Sequence, residues 1–259
     1  MGMGMLSTPR RILITGASRG IGKQAALQLA RRGHSLVLAA RSRTALERVA
    51  AQITAEGGRA EVLPMDVTDD ASTRAAIAHM LASAPCDVVV NNAGTCLQGQ
   101  FLAQEPERLR EEMELNYWGA QRVTRAVLPA MIARGAGTIV NVSSLLGIVA
   151  APTTCNYSAS KAALNAWTHG LRGEVARFGV RLVVFVAPHT QTELGAATEF
   201  DGVHSLPVEY TALELCRAID HAPRQYAASP VYRLLIEVAG WFPRFMERRV
   251  AASVKRLLA

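Results

Sequence analysis

A glycine-rich segment near the amino terminus places the strongest constraint on the fold. Residues 11–14 (RILI) form a short apolar run, residues 15–22 read TGASRGIG, and apolar residues then recur at helical spacing until Gly33. This order predicts a buried strand, a glycine-rich turn and the start of a helix. Glycines permit close backbone approach, and the unpaired N–H groups at a helix start attract anions. The unit therefore suits the diphosphate of a dinucleotide, although glycines at such a point also serve plain turn geometry.

The remaining chain continues the alternation between strand and helix. Half of the 259 residues are apolar, and we find no linker and no internal repeat. Strands that alternate with helices are typical of a doubly wound parallel sheet with helices on both faces. We therefore expect one α/β domain over residues 1–259. The further strands are predicted at residues 36–40, 60–63, 87–90, 138–142 and 180–187, with a last one at 225–229.

The carboxyl end of the second predicted strand carries no acidic residue. Sites for NAD place an acid there, where it binds the 2′-hydroxyl of the ribose. This chain has Arg41 instead, and its glycine-rich turn contains Arg19. Two guanidinium groups can hold a 2′-phosphate through paired hydrogen bonds, so the pattern favours NADP(H). The alternative is that both arginines face solvent.

Polar and small residues mark three further positions. Asp66 follows the third strand and either accepts from an adenine amino group or caps the helix that starts near Asp69. The fourth strand leads into residues 91–94 (NNAG), whose small side chains would let the backbone lie against a cofactor. Asn116 lies in an apolar part of the long helical stretch at 106–134. It is therefore either a structural tie or part of a proton path.

A tyrosine and a lysine four residues apart are the main candidates for chemistry. If Tyr157 and Lys161 open a helix, they share one face of it. A nearby ammonium stabilises the phenolate and lowers the pKa of the phenol, which makes the ring oxygen a usable proton donor and acceptor. Ser144, placed in the loop after the fifth strand, would hold a carbonyl oxygen while Tyr157 protonates it. The alternative is a surface tyrosine beside a solvated lysine.

These motifs occur together and in order, with Asn116 and Ser144 between residues 91–94 (NNAG) and residues 157–161 (YSASK). The chain thereby resembles the short-chain dehydrogenase/reductase superfamily, in the form with an Asn-Ser-Tyr-Lys set and a TGxxxGxG cofactor motif. The resemblance covers residues 10–192, the core. It implies a Rossmann-type sheet of about seven strands in the order 3-2-1-4-5-6-7. It also implies a nicotinamide cofactor and hydride transfer between a carbonyl and an alcohol.

The resemblance further implies roles for individual residues. Tyr157 would be the general acid and base, and Ser144 would orient the substrate oxygen. Lys161 would bind the nicotinamide ribose and lower the pKa of Tyr157, and Asn116 would hold a relay water. The cofactor-binding residues implied are Gly16, Ser18, Arg19, Gly20, Ile21, Gly22, Arg41, Asp66, Val67, Asn92, Ala93, Gly94, Tyr157, Lys161, Pro188, Thr190 and Thr192.

Two features depart from the family pattern. Members usually have Pro-Gly after the sixth strand, whereas this chain has Pro188-His189 and one residue fewer before Thr192. His189 would then contact the substrate or the diphosphate, or simply fit a shorter turn. The chain also lacks the final strand with the Val-Asp-Gly-Gly ending of the common tetrameric members. It continues through a substrate loop at about 193–211 into a helical extension at about 230–259.

The carboxyl-terminal tail reads as two helices, 232–242 and 245–258, separated at Pro243. The second has apolar residues on one face, including Phe245, Leu257 and Leu258, with basic residues between them. Such a helix would lie on anionic lipid, cover an apolar pocket, or pack on the domain or a dimer partner, and we favour packing. The net charge of +7 would equally suit an acidic acyl carrier protein.

Other classes of protein are disfavoured. The four cysteines have no metal-ligand spacing and indicate free thiols in a reducing cytoplasm. Cys155, near Tyr157, would line a pocket or serve as a packing thiol, and we favour packing. The start shows no apolar segment typical of a signal peptide, and no run is long enough to span a membrane. Basic residues are not interleaved with stacking aromatics, which argues against nucleic-acid binding. We expect a cytoplasmic homodimer or homotetramer.

The leading hypothesis is an NADP(H)-dependent oxidoreductase that interconverts a carbonyl and a secondary alcohol on a small molecule. A hydrophobic or 3-oxoacyl-like ketone is the favoured substrate class. The main alternative is a non-catalytic NADP-binding regulatory or scaffold protein with the same fold. A peripheral membrane protein is the third reading, and liposome binding lost with residues 244–259 would identify it.

Overall fold

The computed structural model of the chain describes residues 8–254. Seven strands form one sheet in the order β3-β2-β1-β4-β5-β6-β7, and every neighbouring pair is parallel. This confirms the predicted doubly wound topology. The strands are β1 (Arg11–Thr15), β2 (Ser35–Ala40), β3 (Arg59–Pro64), β4 (Val88–Asn91), β5 (Gly137–Ser144), β6 (Val180–Ala187) and β7 (Gln225–Ala227).

Helices connect the strands and cover both faces of the sheet. Helix α3 is capped by the side chain of Asp69, which accepts from the backbone of Ser72. Helix α10 begins with Pro243 at its first turn, where the missing N–H costs nothing. The helices are α1 (Gly20–Arg31), α2 (Arg43–Ala55), α3 (Asp70–Ser83), α4 (Pro106–Met113), α5 (Gly119–Arg134), α6 (Cys155–Val175), α7 (Glu193–Ala196), α8 (Val208–His221), α9 (Pro230–Trp241) and α10 (Pro243–Ala252).

The core lies on both faces of the sheet because successive side chains of a strand point to opposite sides. In β1, Ile12 and Ile14 belong to the apolar cluster that includes α1 and α8 residues. Leu13 belongs to the opposite cluster, with residues from α3 and α5. All three are fully buried. A strand buried on both faces explains why the sequence shows continuous apolar runs rather than alternation.

A buried polar network ties the middle of the sheet to the helices. The Asn91 side chain donates to Asn141 Oδ1 at 2.8 Å and to Thr124 Oγ1 at 3.1 Å. The Asn141 side chain donates to Thr168 Oγ1 at 2.8 Å. These bonds join β4 and β5 to α5 and α6, and they fix the strand ends near which the cleft forms.

The long helical stretch predicted at 106–134 is interrupted by a π-turn at Glu114–Trp118. A π-turn inserts one extra residue into a helix, and such turns are frequent at functional sites. Here the turn contains Asn116, which is buried. The hydrogen-bond pattern that defines the turn depends on tertiary packing, so helical periodicity could not reveal it.

Three other predictions differ from the structure. Ser144 is the last residue of β5 rather than part of the following loop, because its backbone pairs in register with Ala187 of β6. Cys155 is exposed rather than packed. Met246 on α10 and Val254 just after it are buried, but Phe245 on the same helix points outward. Leu257 and Leu258 lie outside the described residues.

Within residues 8–254 no helix combines the length and apolar character that crossing a bilayer requires. The four cysteines are present as free thiols.

Candidate active site

A cleft of about 1050 Å³ opens at the carboxyl ends of the strands. The strand order reverses between β1 and β4, and doubly wound sheets bind ligands at this point. The sequence-predicted site residues line the cleft, with the exceptions of Gly22 and Asn116. The structure therefore brings together motifs that are distributed along most of the chain.

The glycine-rich turn follows β1 and is closed by contacts with the end of β4. Gly16 has φ of +66°, a conformation that side chains with a Cβ rarely adopt. A Cβ on Gly22 would lie 2.5 Å from Asn92 Nδ2 and from the Gly16 carbonyl oxygen. Gly22 thus packs behind the turn rather than lining the cleft. Asn92 uses its side chain to donate to the Thr15 carbonyl at 2.9 Å, so it shapes the turn.

The two arginines predicted to hold a 2′-phosphate differ in their surroundings. Arg19 forms an ion pair with Glu193 at the start of α7, and both side chains are largely exposed. Arg41 is exposed directly after β2 and forms no ion pair within residues 8–254. Arg41 is therefore the freer of the two guanidinium groups.

Asp66 lines the cleft after β3 and does not cap the next helix. Its Oδ1 accepts from the backbone N–H of Thr68 at 2.9 Å and from the Thr68 hydroxyl at 2.7 Å. The capping alternative is wrong, because Asp69 caps α3. The side chain instead stabilises the turn that brings Val67 to the cleft wall.

Tyr157, Lys161 and Ser144 converge on the cleft. Tyr157 and Lys161 lie one turn apart near the start of α6, and the Lys161 Nζ is 5.7 Å from the centroid of the tyrosine ring. Lys161 donates to the Val142 carbonyl at 3.0 Å, which draws it towards β5. Ser144, at the end of β5, lies close enough to the tyrosine to lower its pKa. The shared helix face predicted from the spacing is therefore present.

The electrostatics of this group differ from the expectation that the lysine would lower the pKa of the tyrosine. Burial raises the pKa of Tyr157, and Cys96 and Glu112 raise it further, while the Ser144 hydroxyl lowers it. Burial lowers the pKa of Lys161 to about 8. Desolvation disfavours the charged form of both groups and is the largest influence on each pKa. The phenol is accordingly held protonated at neutral pH.

Asn116 lies behind the cleft as a structural tie. Its Oδ1 accepts from the Thr95 backbone N–H at 2.9 Å, and its Nδ2 donates to the Thr95 carbonyl and to Ser160 Oγ at 2.9 and 3.0 Å. A Cβ on Gly94 would lie 3.0 Å from Asn116 Oδ1 and 3.5 Å from Lys161 Nζ. Asn116 thus joins the π-turn to α6 and to the loop beside the lysine.

Glu112 is a site residue that the sequence reasoning missed. It is fully buried on α4 and lines the cleft. Its two oxygens accept from the Leu97 backbone N–H and from Asn156 Nδ2, both at 2.7 Å. Burial raises its pKa. The sequence did contain one indication of this role. Glu112 lies four residues before Asn116, and this spacing puts its carboxylate on the same side of the helix as the amide.

The segment after β6 holds the two predicted cofactor threonines in different ways. The Thr190 hydroxyl is buried and bonds to the Pro188 carbonyl at 2.8 Å and to the Thr211 hydroxyl at 3.0 Å. Thr192 caps α7, and its methyl group would lie 3.4 Å from a Cβ on Gly20. Thr192 therefore faces the glycine-rich turn, whereas the hydroxyl of Thr190 is committed to the protein interior.

His189 connects the predicted substrate loop to the end of β6. Its Nδ1 lies 2.7 Å from Ser205 Oγ, and its Nε2 lies 3.1 Å from Thr198 Oγ1 and 3.2 Å from the Gly195 carbonyl. Its backbone N–H donates to the Tyr232 hydroxyl at 3.2 Å. Both ring nitrogens are engaged, so the geometry favours the reading in which His189 stabilises a shorter turn.

The fold and the glycine-rich turn at the cleft are those of a dinucleotide-binding protein. A family profile described as short chain dehydrogenase matches residues 10–201. The chain therefore belongs to the short-chain dehydrogenase family, as its motifs indicated.

Individual relatives agree with this assignment. The chain is 40% identical to human dehydrogenase/reductase SDR family member 7 over 182 residues, which cover 68% of this chain and 54% of the relative. It therefore spans about half the length of that protein. It is 34% identical to the ketoacyl reductase HetN of a Nostoc strain, over 74% of this chain and 67% of the relative.

A solved structure also matches the fold closely. The short-chain dehydrogenase of Sphingobium yanoikuyae, in complex with NADPH, superposes with a TM-score of 0.78 at 30% sequence identity. The match covers 92% of this chain and 95% of that chain. The likeness thus extends beyond the family profile into the carboxyl-terminal part.

Proposed function

We propose that the protein is an NADP(H)-dependent oxidoreductase that interconverts a carbonyl and a secondary alcohol. The observation that carries the proposal is the convergence of Ser144, Tyr157 and Lys161 on a cleft that continues to the glycine-rich turn. Nucleotide-binding proteins without activity need the turn but have no need for a protonated phenol beside a hydroxyl.

The residues present fit a nicotinamide dinucleotide phosphate. The Gly16 backbone, with its positive φ, permits close approach of a diphosphate, and α1 starts directly behind it. The Ser143 hydroxyl is buried at the cleft and has no hydrogen-bond partner within residues 8–254, so a ligand would satisfy it. Arg41 would hold the 2′-phosphate, and Asp66 and Val67 would face the adenine. Lys161 would bind the nicotinamide ribose.

The protein's own groups then act on the substrate oxygen. When bound, the reduced nicotinamide supplies hydride to the carbonyl carbon. Ser144 donates a hydrogen bond that orients the carbonyl oxygen, and Tyr157 delivers the proton to it. Burial raises the pKa of Tyr157, so the phenol is protonated at neutral pH and holds the proton that carbonyl reduction requires. Asn116 keeps the loop beside Lys161 in place.

The cleft walls favour an apolar or acyl-type ketone. Ketoacyl reductase HetN is one of the relatives, which supports an acyl substrate. Residues 193–211 would cover the substrate, since His189 ties this loop to the end of β6. The apolar residues that line the cleft include Leu97, Leu145, Leu146, Leu194, Phe200, Val203 and Val250.

NADPH oxidation against a panel of 3-oxoacyl, steroid and aromatic ketones, with NADH in parallel, tests the proposal. We expect turnover with NADPH and a loss of about a hundredfold to ten-thousandfold in kcat for Tyr157→Phe, since the proton donor is removed. Tyr210→Phe is the matched control, because Tyr210 lies on α8 and does not line the cleft. Full activity of Tyr157→Phe would contradict the assignment.

A second candidate function is NADP binding without catalysis. The observation in its favour is that His189 stands where the family pattern has a glycine, at the nicotinamide end of the cleft. Both nitrogens of its ring form hydrogen bonds within the protein. Quenching or enhancement of NADPH fluorescence without turnover across the whole ketone panel would favour this function.

A further inference from the structure

The outer side of the two carboxyl-terminal helices carries an exposed apolar surface. Leu234 and Trp241 lie two turns apart on α9, and Phe245 follows on the first turn of α10. Exposure ranges from 57% for Phe245 to 79% for Trp241. Single exposed apolar residues are ordinary, but a group on one side of neighbouring helices indicates an interaction site. The α9–α10 surface consists of Val231, Leu234, Trp241, Phe242 and Phe245.

The opposite side of the same helices faces the protein and the cleft. Ala239 and Met246 pack with Val149 in a small apolar cluster. Tyr232 of α9 and Val250 of α10 line the cleft. The two helices are therefore a single layer between the cleft and the α9–α10 surface.

Exposed positive charge surrounds this surface. Arg244, Arg248 and Arg249 of α10 and Arg233 of α9 are exposed. Within residues 8–254 none of these four forms an ion pair. The acidic residues of α9 and α10 are Glu237 and Glu247, so arginines predominate.

We propose that the α9–α10 surface binds the surface of an anionic lipid bilayer. Helices with an apolar face that contains Trp and Phe, flanked by Arg, lie in the interfacial region of membranes. The aromatic side chains enter the boundary between headgroups and acyl chains, and the arginines meet lipid phosphates. A second copy of the chain is a poorer occupant, because a twofold contact would bring the same arginines of both copies together.

This contact would leave only the single layer formed by α9 and α10 between the cleft and the bilayer. An apolar ketone dissolved in the membrane would then reach the cleft past α9 and α10. This consequence for the substrate rests on the proposed function, whereas lipid binding itself does not depend on any activity.

Vesicle flotation with the full chain tests the proposal without a turnover assay. We expect binding to vesicles of equal parts phosphatidylglycerol and phosphatidylcholine, and little to phosphatidylcholine alone. Replacing Arg244, Arg248 and Arg249 together by Gln should weaken binding about a hundredfold, since each basic residue near such a surface contributes roughly tenfold or less. Trp241→Ser with Phe245→Ser should weaken it about tenfold or more.

Matched control variants distinguish binding through the α9–α10 surface from unspecific effects of positive charge or of exposed apolar residues elsewhere. Arg43→Gln with Arg48→Gln removes exposed arginines from α2, and Trp118→Ser removes an aromatic residue that is 45% exposed elsewhere. Both control proteins should bind as the wild type does. The fluorescence of Trp241 should be quenched by lipids brominated on their acyl chains.

Three results would overturn the proposal. The first is failure of the wild type to bind the anionic vesicles. The second is unchanged binding of the Trp241→Ser, Phe245→Ser protein. The third is a dimer in analytical ultracentrifugation that the same variant dissociates, since a second copy would then cover the surface. Turnover of a water-soluble ketone without lipid reports on the proposed function separately, so the two ideas fail independently.

Discussion

Replacement of Glu112 tests how a buried carboxylate organises the cleft. Its oxygens accept from Leu97 N and Asn156 Nδ2, each at 2.7 Å, and the residue is fully buried. A hydrogen bond to a charged group contributes about 1.5–3 kcal/mol, and a donor left unpaired in the interior costs about 1–3 kcal/mol. Glu112→Ala removes both bonds, so we expect the free energy of unfolding to fall by about 3–5 kcal/mol.

Glu112→Gln isolates the charge, because it keeps the volume and one acceptor oxygen. We expect a smaller loss of about 1–3 kcal/mol at neutral pH. Burial raises the pKa of Glu112 above its ordinary value of 4.5, so the folded state binds the proton more tightly than the unfolded state. Wild-type stability therefore increases as the pH falls through this raised pKa towards 4.5. Gln does not titrate. The free energy of unfolding of the wild type should therefore rise relative to that of the variant over this pH range.

The same variant should change the pH profile of kcat/KM. The negative charge of Glu112 raises the pKa of Lys161 and of Tyr157, so its removal should shift both apparent pKa values downward. Glu112→Asp keeps the charge and should restore the position of the profile even where kcat is reduced. A residue with a purely structural role would alter the rate without moving the profile.

Urea unfolding followed by circular dichroism measures the stability of these proteins. Glu111→Ala is the control, because Glu111 is the exposed neighbour of Glu112 on α4. A Glu112→Ala protein within about 0.5 kcal/mol of the wild type would refute the stability argument, since that is the scatter of ordinary surface substitutions. Superimposable pH profiles of kcat/KM for the wild type and Glu112→Gln would refute the argument that the charge of Glu112 raises the pKa values of Lys161 and Tyr157.

Four further measurements address other parts of the site. Arg41→Ala should raise the KM for NADPH about tenfold or more and leave that for NADH nearly unchanged, because only the 2′-phosphate loses a partner; equal effects on both cofactors would contradict this. Gly22→Ala places a Cβ 2.5 Å from the Gly16 carbonyl, so we expect weaker NADPH binding by fluorescence titration and a lower Tm. Asn116→Ala should cost about 2–4 kcal/mol in urea unfolding, since it leaves the partly buried N–H and carbonyl of Thr95 and the buried Ser160 hydroxyl without this partner. His189→Gly should speed limited proteolysis within residues 193–211, and an unchanged cleavage rate would show that the ring does not hold the loop.

The order of the strands and helices could be predicted because the sequence patterns that indicate them are local. The apolar run at β1, the glycine-rich turn and the periodicity of α1 are contiguous in the chain, and their geometry follows from backbone sterics. Tyr157 and Lys161 share a face because they lie one turn apart on the same helix. Arg41 was recognised as a candidate phosphate ligand because it stands at a strand end where an acid would bind NAD.

Tertiary structure alone decided what each side chain contacts. Arg19 pairs with Glu193, 174 residues away, and Asn116 bonds to Ser160, 44 residues away. Neither separation follows from a local pattern, so the π-turn, the bonds of Glu112 and the raised pKa of Tyr157 could not be foreseen. Burial shifts a pKa through the removal of water, and the surroundings that remove it come from distant segments packed together. The sequence therefore determined which chemical groups the cleft contains, and the packing of the chain determined their charge and their partners.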